Sequence, residues 1–240
     1  MRDAPAFYAL TGGGWRDWWT LLHPPYTIWH LSYVALGAAA APSVEPLHVG
    51  ATLLAFFLAV GLGAHALDEL NGRPLGTAIG ARTLGAVAVV SVAGAAALGV
   101  AGVGRLGPGL VLFIAAGVFL VPAYNLEWLR GRLHTDLWFA LAWGAFPALT
   151  GGFAMRARLT EAIVATAAGC FFASLAQRAL STPVRAIRRR TRAVDGSIAC
   201  ADGTVEPVTA ATLTAPAERA LRALSVAMPL LATGALVARL

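Results

Sequence analysis

The stretch ATLLAFFLAVGLGAHALDELNGRPLGT, residues 51–77, joins a long apolar run to a cluster of polar residues. Within the cluster, His65 and Asp68 are three residues apart, so they share one face of a helix. A second apolar run begins a few residues later. The pattern predicts a membrane helix that ends in ionisable side chains, and ionisable residues in such a position indicate a functional site.

The composition predicts an integral membrane protein. The chain has 240 residues, of which 58% are hydrophobic and 12% charged, and its mean hydropathy is +0.69. Soluble domains carry about 25% charged residues. The formal net charge of +6 comes from arginines that cluster at predicted helix ends, where they set membrane topology. We therefore expect membrane lipid as a partner, and no nucleic acid.

Seven apolar runs are each close to the roughly 20 residues that a spanning helix needs. They predict an all-α polytopic transmembrane bundle that forms one domain over residues 1–240. The predicted spans are about 26–42, 48–68, 78–103, 108–128, 136–155, 160–182 and 218–238.

Two segments outside the spans have their own character. Residues 1–24 are rich in tryptophan beside the first span, which is typical of an interfacial segment. Residues 183–216 form a polar loop with Asp-Gly turns at Asp195 and Asp202. This loop is compatible with a small hairpin or with a disordered connector.

Arginine is concentrated in the loops after the second, fourth and sixth spans. An odd number of spans with a cytoplasmic N-terminus places these loops on one side of the membrane. The positive-inside bias makes that side cytoplasmic. The sequence therefore predicts a multi-pass protein of the cell membrane whose polar mouth faces the cytoplasm.

Most polar residues near the spans fall at this predicted cytoplasmic end. Such a bundle suits a molecule with a charged head and an apolar tail. The polar candidates are His65, Asp68, Glu69, Asn71 and Arg73, then Tyr124, Asn125, Arg130 and Arg132, then Gln177 and Arg178.

Three stretches, in the same order along the chain, resemble the UbiA superfamily of intramembrane prenyltransferases. HPPYTIWHLSYVALGAAAAP at 23–42 resembles the family's opening helix, and AHALDELNGRPLGT at 64–77 resembles its first Asp-rich motif. Residues 124–154 resemble its tyrosine, basic turn and following helix rich in Gly and Pro. The resemblance implies a UbiA-like bundle and a transferase that uses an isoprenoid diphosphate.

The resemblance also implies roles for the polar candidates. Asp68 and Glu69 would bind Mg²⁺, an ion that prefers oxygen ligands. Asp68, His65 and Tyr124 would be catalytic. The remaining candidates would bind substrate: Asn71, Arg73, Asn125, Arg130, Arg132, Gln177 and Arg178.

The chain departs from the family pattern at both acidic motifs. With Asp68 as the first aspartate, Ala64 and Gly72 occupy the positions of the family's Asn and second Asp. No acidic residue lies between Glu161 and Asp195, where the second motif belongs. The first motif is thus degenerate and the second absent.

Several interpretations stay open at this stage. The protein is either a prenyltransferase acting on an aromatic or lipid acceptor, a terpene cyclase of the same type, or a non-catalytic protein that binds isoprenoid or lipid. A transporter is a further alternative. The acidic pair at Asp68 and Glu69 also fits a plain helix end, and the arginines fit topology markers.

Overall fold

The computed structural model describes residues 5–10 and 12–239, so the predictions for residues 1–4, 11 and 240 lie outside it. The described chain consists of helices and one short hairpin. In chain order these are α1 Trp15–Leu22, α2 Pro24–Ala39, α3 Pro46–Leu70, α4 Ala81–Leu106, α5 Gly109–Asn125, α6 Asp136–Arg156, α7 Glu161–Arg190, β1 Ser197–Ala199, β2 Val205–Pro207 and α8 Ala210–Val237.

The predicted helical membrane bundle is confirmed at the level of its long apolar helices. Five helices, α3, α4, α6, α7 and α8, are long and apolar enough to cross a membrane, and α5 is a shorter apolar helix. Helix α2, with 16 residues, is about 24 Å long. A count of seven spans requires α2 and α5 to cross as well, and it stays a prediction.

The centre of the bundle is the contact between α2 and α6. A Cβ atom at Gly37 would overlap the carbonyl of Ala148, and one at Gly151 would overlap the carbonyl of Val34. Only glycine allows the two backbones to approach this closely.

Helix α2 also carries two fully buried aromatic side chains, Trp29 and Tyr33. The Trp29 indole donates to the Tyr33 hydroxyl at 2.5 Å, and the Ser174 hydroxyl of α7 donates to the same oxygen at 3.2 Å. These bonds satisfy polar groups that would otherwise be costly to bury. The bond from Ser174 also links α7 to α2.

Two helices contain π-helical segments close to the predicted site. These are Phe57–Ala64 in α3 and Ala140–Ala145 in α6. Insertions of this kind are rare and often occur at functional sites. Here the backbone carbonyls of Gly61 and Trp143, one in each segment, accept hydrogen bonds from histidine side chains.

The polar loop predicted at 183–216 is shorter in the structure. Helix α7 continues to Arg190 and α8 begins at Ala210, with Pro183 and Pro216 inside them. The loop is shorter than the polar stretch because both prolines lie inside helices, and packed membrane helices tolerate a proline that would end an isolated helix. The remaining loop contains the antiparallel hairpin of β1 and β2, in which Ile198 pairs with Glu206.

Candidate functional site

A cavity of about 530 Å³ lies at the end of the bundle where α2 begins and where α3 and α5 end. The second half of α7, the segment 5–8, and parts of α6 and of the turns after α3 and α5 complete its wall. The structure brings most of the predicted site residues together around it. Those that line the cavity are His65, Asp68, Asn71, Tyr124, Asn125, Gln177 and Arg178.

Glu69 is predicted beside Asp68 as a metal ligand, but it is not among the cavity-lining residues. It is fully buried. One carboxylate oxygen accepts a hydrogen bond from the Leu75 amide (2.9 Å), and the other accepts from the amide (2.8 Å) and hydroxyl (2.9 Å) of Thr77. Glu69 therefore organises the loop that follows α3.

The predicted arginines Arg73, Arg130 and Arg132 are also absent from the cavity wall. Arg73 donates hydrogen bonds to the carbonyls of Thr77 (3.3 Å) and Ile79 (2.6 Å) and so closes the same loop as Glu69. Arg130 and Arg132 are exposed in the turn after α5. Arg130 has a positive φ of 59° there, so its place is set by a tight turn.

Several polar groups on the cavity wall lack protein partners. The Tyr124 hydroxyl, the Gln177 side-chain carbonyl and His23 Nε2 are enclosed with no hydrogen bond. The Asp68 carboxylate makes no hydrogen bond or ion pair with any residue in 5–10 or 12–239. Buried polar groups without partners are rare and require an explanation. Water or a polar ligand in the cavity would supply their partners.

Three histidines at the cavity share one hydrogen-bonding arrangement. The Nδ1 atoms of His30, His65 and His134 donate to the backbone carbonyls of Trp143 (2.8 Å), Gly61 (3.1 Å) and Tyr124 (3.1 Å). A carbonyl only accepts, so each Nδ1 carries the hydrogen. In the neutral ring Nε2 is then a proton acceptor.

Helix α7 supplies a row of cations to the cavity. Arg178, Arg185 and Arg189 lie at helical spacing on the face that also carries Gln177 and Ser181. Arg178 donates to the Asp136 carboxylate at 2.6 Å. Within the described chain, Arg185 is paired with no carboxylate. This row is an electropositive wall suited to an anionic ligand.

The sequence reasoning missed Arg185 and Arg189 because it ended the sixth span at residue 182. With a helix that continues to Arg190, their spacing from Arg178 would have placed them on one face. Arg188, on another face, donates two hydrogen bonds to Glu218 of α8, at 2.5 and 3.0 Å. Arg185 and Arg189 therefore line the cavity, whereas Arg188 connects α7 to α8.

The N-terminal segment covers one side of the cavity. The Tyr8 hydroxyl lies 2.6 Å from His23 Nδ1, and the His23 ring stacks on His65 at 4.3 Å. Arg189 donates to the carbonyl of Pro5 at 3.3 Å. Burial raises the pKa of Tyr8 above its ordinary value. Burial, with the nearby His65 acting in the same direction, lowers the pKa of His23 well below its ordinary value.

The donor set does not fit a preformed magnesium site with two carboxylates. Both oxygens of Glu69 are occupied by the loop. In the part of the chain that the structure describes, no three His, Cys, Asp or Glu side chains are grouped as metal ligands. Asp68 would hold Mg²⁺ alone, with all other ligands from substrate or water. The arginines of α7 are the cations that the structure places at this cavity.

Comparison of the chain with protein-family models, with curated proteins and with solved structures gives no match. The UbiA resemblance therefore stays an interpretation of the three sequence stretches.

Proposed function

We propose that this protein is a UbiA-like intramembrane transferase that binds an isoprenoid diphosphate in the cavity at the end of α3. One observation carries the proposal: Asp68, Tyr124, Gln177 and an arginine row converge on a single cavity. The diphosphate would lie against Arg178, Arg185 and Arg189, which suit phosphate oxygens. The tail would extend towards the apolar floor, which includes Val60, Phe139 and Trp143.

The proposed reaction breaks the bond between the allylic carbon and the diphosphate oxygen, and both electrons leave with the diphosphate. The arginine row stabilises the negative charge that develops on this leaving group. The allylic cation then takes an electron pair from an aromatic or lipid acceptor. The acceptor loses a proton to Nε2 of His65, which is an acceptor because Nδ1 carries the hydrogen.

A second candidate function is binding of the isoprenoid diphosphate without catalysis. The position of Glu69 favours it, because this carboxylate is committed to the loop and the predicted metal pair is incomplete. The two candidates share the same ligand and the same arginine row. They differ only in whether diphosphate is released.

The first experiment measures binding of farnesyl diphosphate to the purified protein in detergent, with and without Mg²⁺. We expect Arg185→Gln to weaken binding by about tenfold or more, because a hydrogen bond to a charged group contributes about 1.5–3 kcal/mol. Arg130→Gln is the matched control, since it removes the same charge from an exposed turn. Equal binding by wild type and Arg185→Gln, or no binding at all, would refute the proposal.

A second measurement separates transfer from binding. Diphosphate release is followed with an aromatic acceptor, in the wild type and in Asp68→Asn and His65→Gln. Release that depends on both residues supports the transferase. Tight binding with no release for any acceptor supports the binding protein and refutes the reaction.

A further inference from the structure

A second cavity, of about 410 Å³, lies between α3, α4, α5 and α6. It is separated from the first cavity by the packed side chains of Val60, Val121 and Trp143. Three aromatic rings line it: the ring centroids of Phe113 and Phe146 are 6.1 Å apart, and those of Phe56 and Phe146 are 5.9 Å apart. We name this cavity the lateral groove.

The ionisable side chains that line the lateral groove lie towards one end of it. His48, near the start of α3, and Arg105, near the end of α4, both line it. These helix ends are opposite to the ends that form the first cavity. The enclosed Nδ1 of His48 has no hydrogen-bond partner. Arg105 is exposed and is paired with no carboxylate of residues 5–10 or 12–239.

The length of the groove matches one leaflet of a bilayer. Its wall follows α3 from Leu47 to Ala59, a distance of about 18 Å at 1.5 Å per residue. Half of a hydrocarbon core of about 30 Å is about 15 Å. A lipid chain that enters beside Arg105 would therefore occupy the groove along the depth of one leaflet.

We propose that the lateral groove binds an anionic phospholipid of the leaflet opposite the first cavity. Its phosphate lies at Arg105, where a guanidinium binds phosphate oxygens with paired hydrogen bonds. His48 donates to or accepts from the glycerol and ester region. One chain occupies the groove over Phe113 and Phe146. The free cation at the groove entrance selects an anionic head over a zwitterionic one.

The test uses delipidated protein in detergent, with phosphatidylglycerol or phosphatidylcholine added. A ligand at a hundred times its Kd raises the Tm of a protein of this size by about 5 °C or more. We expect phosphatidylglycerol to raise the Tm of the wild type by this amount and phosphatidylcholine to have a clearly smaller effect. Equal effects of the two lipids would overturn the proposal.

Two variants and one control locate the site. Arg105→Gln removes the head contact, and Ala96→Phe fills the groove while Arg105 stays in place; both should abolish the response to phosphatidylglycerol. Arg158→Gln, which removes a charge at the same end of the bundle, should keep it. A response that survives Ala96→Phe would assign the effect to surface charge alone and refute the groove.

The oligomeric state and the first cavity provide the remaining checks. If the groove is instead an interface between two copies of the chain, Ala96→Phe will change the mass of the protein–detergent complex, and that result overturns the proposal. The lipid response should be intact in Arg185→Gln. Loss of isoprenoid binding and loss of the phospholipid response are thereby distinguishable.

Discussion

Neighbouring carboxylates in this chain have different surroundings and therefore different roles. Asp68 lines the first cavity without a partner, whereas Glu69 is fully buried and accepts three hydrogen bonds from the loop after α3. A buried carboxylate with this many donors stabilises a fold through charge-assisted bonds. The two residues allow a direct comparison of a ligand role with a folding role.

We expect Glu69→Gln to lower the free energy of unfolding by about 2–3 kcal/mol, because an NH2 group replaces one carboxylate oxygen and the loop N–H that faced that oxygen loses its acceptor. Asp68→Asn should leave stability almost unchanged and reduce isoprenoid diphosphate binding in the presence of Mg²⁺, because Asp68 is the carboxylate that would hold the ion. Thermal unfolding in detergent and ligand binding measure the two effects. The reverse pattern would place the ligand at Glu69.

The pH dependence of stability follows from His23. Its folded-state pKa is lowered by burial and by His65, so the unfolded chain takes up a proton at a higher pH than the folded chain. The contribution of His23 to stability is therefore complete above about pH 6.5 and is lost as the pH falls below that value. His23→Asn keeps a residue that tolerates the observed φ of 46°.

We expect His23→Asn to lose less stability than the wild type as the pH falls below about 6.5. The measurement is the unfolding midpoint between about pH 8 and about pH 5. At about pH 8, the difference in unfolding midpoint between wild type and His23→Asn measures the effect of the substitution apart from protonation. Two curves that stay parallel over the whole range would contradict the prediction.

At the scale of elements, the crossing of α2 and α6 is the closest helix contact at the centre of the bundle. Gly37 and Gly151 each face a backbone carbonyl of the other helix. Adding a methyl group there forces the two backbones apart, and overpacking of this kind costs about 1–3 kcal/mol or more. The site depends on this crossing, since α2 carries His30 and α6 carries Trp143.

Gly151→Ala should therefore lower the unfolding midpoint and weaken ligand binding together. Gly234→Ala, in α8, is the matched control because nothing lies within 4 Å of its added Cβ. We expect this control to be neutral or slightly stabilising. Similar unfolding midpoints for both variants would show that the α2–α6 contact is looser than described.

At the scale of the whole molecule, the distribution of arginine predicts which end faces the cytoplasm. The end with the first cavity carries the arginine row of α7 and the hairpin that follows it. The opposite end carries fewer, among them Arg156, which pairs with Glu45, and Arg239, which donates to the carbonyl of Ala41. The positive-inside bias therefore predicts that the hairpin lies in the cytoplasm.

The two cysteines test this orientation without further engineering. Cys200 lies in the hairpin turn and is partly exposed, whereas Cys170 is buried in α7. A membrane-impermeant maleimide should label Cys200 only after the membrane is opened, and Cys200→Ser should remove the signal. Labelling of Cys200 in intact cells would show that the hairpin lies outside the cell and that the predicted topology is inverted.

The membrane class, the helical segments and the polar end of the bundle were predictable from the sequence, because hydropathy and arginine content are properties of local stretches. Tertiary packing decided which polar residues meet. The rotation of α7 about its axis placed Arg185 at the cavity and Arg188 against Glu218, and the loop after α3 drew Glu69 away from Asp68. Helical spacing gives the angle between these side chains, but contacts between residues far apart in the chain decide which face of each helix turns towards the cavity.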